Sequence, residues 1–167
     1  DAAIVRNRCM ASGDSCIDVS GRGATVEKNT ASMSDSAVME VSGDNFRIVG
    51  NKLSLAVDDA DGMDISSSTK AGGGLIENNV IEDVVQSGFD FNGNNVTFRG
   101  NKVTGQGSED DEAYSIRGDG NVLIDCQALA CEGDGFDISG DANELVNCKA
   151  IDCLEDGFDI AGNGNSP

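Results

Sequence analysis

Aromatic residues are scarce in this chain: one tyrosine, six phenylalanines and no tryptophan, 4% of 167 residues. A compact globule usually packs around more rings, so a core of small stacked aliphatic side chains is the expected alternative. The apolar content of 38% suffices to build one. Proline occurs once, which leaves no proline-rich linker and fits a single domain over residues 1–167. Eleven cationic residues stand against 30 acidic ones, and the net charge of −19 argues against nucleic acid or an anionic membrane surface as partner. It favours cations or a saline exterior. No apolar run approaches the ~18 residues of a membrane-spanning helix, so no membrane insertion is expected. The chain opens at Asp1 without a methionine or a signal-like segment, as a mature or trimmed product does.

Glycine, by contrast, is abundant at 22 residues, and it keeps time with a repeat. The stretch DGFDI occurs at 134–138 and again at 156–160. Extended along the chain, the same interval aligns Asn7, Asn29, Asn51, Asn79, Asn101, Cys126 and Cys148 in one column, with steps of 22, 22, 28, 22, 25 and 22 residues. Three residues earlier stand Ile4, Val26, Ile48, Ile76, Phe98, Leu123 and Leu145; two residues later stand Cys9, Ala31, Leu53, Ile81, Val103, Ala128 and Ala150. Further along come Ile17, Met39, Met63, Phe89, Tyr114, Phe136 and Phe158, and two residues on Val19, Val41, Ile65, Phe91, Ile116, Ile138 and Ile160. A glycine column follows, broken only at Ser67.

Apolar columns spaced by two and punctuated by glycine are strands joined by tight turns. A unit of about 22 residues cannot bury its face alone and must stack on its neighbours. The expected fold is therefore all-β, a single-stranded β-solenoid of about seven coils. An asparagine in each turn can bond to the backbone and to the asparagine of the next coil, forming a ladder. This pattern resembles the right-handed parallel β-helix family of pectate lyases, polygalacturonases, mannuronan epimerases and related carbohydrate-binding proteins and sugar hydrolases. The resemblance spans residues 2–164 and is specific for fold, weak for activity.

With Phe136 and Ile138 inward, the outward column on the same strand reads Asp18, Glu40, Asp64, Asp90, Ser115, Asp137 and Asp159. Neighbouring strands lie about 4.8 Å apart, so adjacent carboxylates repel by roughly 1 kcal/mol in water and more in a lower dielectric. Such a ladder raises its own pKa values or recruits cations. A second acidic column, Asp61, Glu112, Asp134 and Asp156, faces the same side. Three uses are open: a solvated acidic face, catalysis, or Ca²⁺ binding by Asp61 with Asp64 and by Asp134, Asp137, Asp156 and Asp159. Insertions at 56–62, 66–74 and 105–113 border this face, as insertions in solenoids border binding surfaces.

By the pectate-lyase resemblance, Arg117 is the candidate base that abstracts a proton from a Ca²⁺-held uronate, with Lys70 second; the alternative is that Arg117 neutralises neighbouring carboxylates. By the polygalacturonase resemblance, Asp64, Asp90 and Asp61 imitate the aspartates that activate water and protonate the leaving group. Lys70, Tyr114 and Asp137 are the candidate substrate contacts. GFDF at 88–91 resembles the epimerase active-site strand, but Phe91 and Asn92 stand where that family has proline and histidine, and the chain has no histidine.

Cys126, Cys131, Cys148 and Cys153 form C-x₄-C twice, one repeat apart. Reduced stacking, disulfides and a four-sulfur metal site all fit that spacing. Cys9 and Cys16 lie within one coil and can pair separately. Neither end carries an amphipathic cap, so the domain is expected either to be a piece of a longer solenoid or to stack end to end. The sequence thus implies a secreted or cell-surface domain that binds or processes polysaccharide, acidic and Ca²⁺-assisted by the resemblance. A structural or adhesive solenoid is the alternative.

Overall fold

The computed structural model describes residues 2–56, 60–67 and 73–166. Its strands form three parallel sheets of seven, and each coil gives one strand to each sheet. Sheet 1 runs from Ala3–Val5 to Glu144–Val146 and sheet 2 from Arg8–Ser12 to Lys149–Ile151. Sheet 3 stacks Ile17–Ser20, Met39–Ser42, Met63–Ser66, Phe89–Asn92, Tyr114–Arg117, Phe136–Ser139 and Phe158–Ala161. The register follows the sequence columns: Phe89 pairs with Met63 and Tyr114, and Ile138 with Ile116 and Ile160. Every coil therefore sets like over like.

The apolar columns fill the interior, with Val26, Ile48, Leu53, Ile65, Ile81 and Phe98 almost inaccessible. The few aromatics are concentrated rather than spread. Phe89, Tyr114, Phe136 and Phe158 stack with ring centroids 5.0, 4.6 and 5.0 Å apart, and Phe98 packs edge-on against Phe89 and Phe91. Parallel register converts a repeated ring into a continuous column.

Two corners turn on asparagine. In the first, the Nδ2 groups of Asn29, Asn51 and Asn79 donate to Oδ1 of the asparagine in the next coil at 3.0, 2.9 and 3.0 Å, and the backbone N–H of each residue donates to the same oxygen. Each Nδ2 also reaches a carbonyl of the preceding coil, those of Ile4, Val26 and Ile48. The second ladder is not apparent from the expected column. It runs through Asn121, Asn143 and Asn165 at the turn from sheet 3 to sheet 1, with backbone N–H donors 2.8 Å from the next Oδ1. It begins where the first changes residue type, at Cys126. The glycine column has its own reason: Gly140 sits at φ 126°, where an added Cβ would strike the Gly118 carbonyl of the coil below. At the one break, Ser67 donates instead to Asp44 Oδ1 at 2.8 Å.

The cysteines divide. Cys9 is bonded to Cys16 and Cys131 to Cys153, while Cys126 and Cys148 remain thiols. The disulfide reading holds for one stacked pair and the reduced one for the other, and the four-sulfur site is ruled out because two of its sulfurs bond to each other. The two remaining thiols continue the asparagine column. The backbone and side-chain N–H groups of Asn101 donate to the Cys126 sulfur, which takes the place of an amide oxygen.

Replacing Asn79 by leucine would strip two buried donors on Asn51 of their acceptor and the Ile48 carbonyl of its donor. At about 1–3 kcal/mol for each buried group left unpaired, Asn79→Leu is expected to cost roughly 3 kcal/mol or more. Urea unfolding should show the lowered midpoint, whereas Asn7→Ala at the exposed end of the ladder should barely move it.

Candidate functional site

Strand alternation sends Asp18, Glu40, Asp64, Asp90, Ser115, Asp137 and Asp159 out of sheet 3 in one in-register line. The turns before four of these strands add Asp61, Glu112, Asp134 and Asp156 on the same side. The inserted turn in coil 5 is held by its own bonds. Gln106 donates to the Ser108 carbonyl (2.8 Å) and accepts from the Gly133 N–H (3.2 Å), and Ser108 Oγ donates to Asp111 Oδ2 (3.0 Å). That brace sets Asp111 and Glu112 beside the strand Tyr114–Arg117. Residues 57–59 and 68–72 of the other insertions, Lys70 among them, lie outside the described residues.

The acids do not form a uniform ladder. Burial, and then the negative charge of Asp90, push Asp61 from 3.8 up to about 7, although the Ser87 N–H donates to its Oδ1 at 2.9 Å and works the other way. Asp64 is raised by partial desolvation and by Asp90 and Glu40. Glu112 is raised by burial and Asp137, and Asp137 by burial and Asp159. Arg117 opposes these shifts at Asp64, Glu112 and Asp137. Its guanidinium donates to Asp90 Oδ1 at 2.8 Å and to Ser115 Oγ at 3.2 Å. Glu112 shares the same hydroxyl, which explains why Ser115 is fully buried on an outward column.

This geometry sorts the expected site residues. Asp61, Asp64, Asp90 and Arg117 are brought together across coils 3 to 5. Asp137 lies one coil beyond, in register with Ser115. Asp134 accepts from the Asp156 N–H at 2.7 Å, and Asp156 and Asp159 are exposed at the seventh coil. The expectation that Tyr114 contacts substrate is corrected: its ring is wholly buried between Phe89 and Phe136, and its hydroxyl donates to the Gln127 carbonyl at 3.2 Å. Alternation had already assigned that column to the core.

Ca²⁺ needs several oxygen ligands converging on one point. Among the described residues no three acidic, histidine or cysteine side chains converge in this way. The stacked carboxylates lie side by side along the face, so neither expected ligand group makes a preformed cage. Arg117, a permanently charged donor already engaged by Asp90, fits the neutralising role better than that of a proton acceptor.

One feature of the face escaped the acidic pattern. The next outward column carries Ser42, Ser66 and Asn92, which with Gly21, Gly43 and Ser67 line a recess of about 400 Å³. A smaller hollow between Glu40, Asp64, Ser42 and Ser66 joins hydroxyls to carboxylates. The signal was present as a column of small polar residues, but only the flanking turns make it concave.

A solenoid whose coils each contribute to three parallel sheets, with an inward-turned asparagine ladder, defines a parallel β-helix. Residues 42–167 match the family described as the right-handed β-helix region, and the chain belongs to it. Neither curated proteins nor solved structures give a match. No helix among the described residues is long and apolar enough to cross a membrane.

The Asp61 shift has a sign that can be checked. Its folded value lies above the ordinary 3.8, so the native state holds a proton that the unfolded chain releases. Its contribution to stability is complete below about pH 4 and is lost as pH rises through about 7. Asp61→Asn keeps the acceptor for Ser87 and should melt higher than the parent above pH 7, with the two converging near pH 4. Parallel pH profiles would contradict the shift.

Proposed function

We propose that this domain binds a neutral or amino-bearing polysaccharide along the outward face of sheet 3 and hydrolyses its glycosidic bonds, with Asp61 as general acid and Asp90 as general base. The observation that carries this reading is the contrast between two carboxyls one coil apart. Asp61 keeps its proton to about pH 7, and Asp90 is held in an ion pair with Arg117. A carboxyl that keeps its proton beside a second carboxyl held in an ion pair is the equipment of glycoside hydrolysis.

Asp61 gives its proton to the glycosidic oxygen as the bond to the anomeric carbon breaks. Asp90 takes a proton from the water that adds to that carbon, and two shorter sugar chains leave. Arg117 orients Asp90 and limits the charge that accumulates on the face. Asp64 and Asp137 extend the contact surface on either side, and Ser42, Ser66 and Asn92 offer bonds to sugar hydroxyls.

Charge selects the substrate class. A polyuronate would lay its own carboxylates against the acidic column, and without converging ligands for a bridging cation that contact is repulsive. Uncharged sugars escape the penalty, and protonated amino sugars gain from it. The two disulfides support a secreted or cell-surface setting, where such bonds persist. The alternative is a structural or adhesive solenoid that joins others end to end.

Release of new reducing ends from a neutral glycan, an amino-bearing glycan and a polyuronate tests the proposal. Cleavage is expected for one of the first two, and Asp61→Asn and Asp90→Asn should each lower kcat by roughly 10²–10⁴-fold. Activity should fall as pH rises through about 7, where Asp61 loses its proton. No cleavage of any glycan, with concentration-dependent fibres in sedimentation, would replace hydrolysis by the structural role.

A further inference from the structure

Two serines interrupt the acids on the outward side of sheet 3. Ser115 stands in the strand column between Asp90 and Asp137. Ser87 stands in the turn column: the Gly62 N–H donates to the Ser87 carbonyl (2.9 Å) and the Gly88 N–H to the Glu112 carbonyl (3.2 Å), which stacks Asp61, Ser87 and Glu112 on consecutive coils. The same serine lies three positions before Asp90 in its own coil. Its neighbours on this lattice are thus three carboxyls.

Ser87 is only 3% exposed. Among the described residues the other buried polar side chains have bonded partners: the asparagines in their ladders, Ser34 with the Asp14 and Ala37 carbonyls, Gln106 with the Ser108 carbonyl and Ser115 with Arg117. Ser87 reaches Asp61 through its backbone N–H, and among the described residues its hydroxyl has no partner. Ser15 Oγ and Thr104 Oγ1 are sealed from solvent without partners, in the first coil and on sheet 2; Ser87 Oγ is not sealed, so the hydroxyl is what this residue shows to the face. A hydroxyl held in a buried residue costs stability unless something bonds it. One left open beside three carboxyls marks a place for a ligand.

We propose that Ser87 is a substrate contact, its hydroxyl bonding an uncharged hydroxyl group of the sugar unit that reaches between Asp61 and Asp90. The contact rests on the hydrolytic reading above and narrows it. Ser87 adjoins the acid one coil away and the base in its own coil, where the sugar carrying the reacting carbon must lie. A serine hydroxyl both donates and accepts, so it pairs with a sugar hydroxyl in either sense. Charge decides between a hydroxyl and an ammonium. A cation beside Asp61 favours its ionised form, and the proton that breaks the glycosidic bond would be gone before the sugar was in place. The reacting unit is therefore a neutral sugar, and amino groups are admitted only on units farther along the face.

Titration calorimetry in the cold with hexasaccharides of glucose, mannose, xylose and glucosamine tests the contact, with reducing-end release measured on the same samples. The parent should bind a neutral oligosaccharide, and Ser87→Ala should bind it about tenfold more weakly. Alanine keeps the backbone N–H to Asp61 and removes a polar group without a partner, so Ser87→Ala should melt no lower than the parent. A monodeoxy form of the bound sugar should weaken binding to the parent by a similar factor and leave the variant unchanged. Should Ser87→Ala fold poorly, Ser87→Cys, close in size but only a weak donor, takes its place. Equal binding by parent and variant, a preference for the glucosamine oligosaccharide, or binding of none of the panel would each overturn the contact. Weaker binding by the variant with no reducing ends released by either protein would uphold the contact and sink hydrolysis.

Discussion

In-register parallel stacking governs this molecule: at every position a side chain meets its own counterpart from the neighbouring coil about 4.8 Å away. Each column must therefore tolerate itself. Isoleucine and valine do so by excluding water, and the four stacked rings do so by lying face to face. Asparagine does so because one amide carries both donor and acceptor, so Asn51 can give to Asn79 while receiving from Asn29. Carboxylates cannot, and the outward column of sheet 3 is where that conflict is concentrated.

The conflict is resolved unevenly. At Asp61 the proton is retained to about pH 7. At Asp90 the negative charge is met by Arg117, which also reaches Ser115, the one neutral residue of the column. A small hydroxyl at that point makes room for the guanidinium and for Glu112 to share it. Acid–base contrast thus arises from a repeat that, left unbroken, would give seven similar acids.

Much of the fold was legible because the period is local information carried in every coil. The inward columns, the asparagine ladder through Asn101, the acidic column and the Cys9–Cys16 pairing all stand where the spacing puts them. Tyr114 stands in an inward column, so alternation places its ring in the core, where its hydroxyl meets the Gln127 carbonyl. The second ladder at Asn121, Asn143 and Asn165 went unnoticed because it occupies only the last three coils, where Phe46, Gly74 and Val96 hold that place earlier. The polar recess at Ser42, Ser66 and Asn92 depended on how the turns rise around it, which no spacing encodes.

By itself the sequence determined the coil count, the residues that share a column and the sign of charge on each face, since these follow from periodicity and alternation. Tertiary structure alone decided which of several equivalent aspartates keeps a proton, which carboxylate Arg117 engages and which cysteines bond. Those outcomes depend on burial and on distances of a few ångströms between coils. A repeat places identical residues in equivalent positions, and only their packed surroundings make them different.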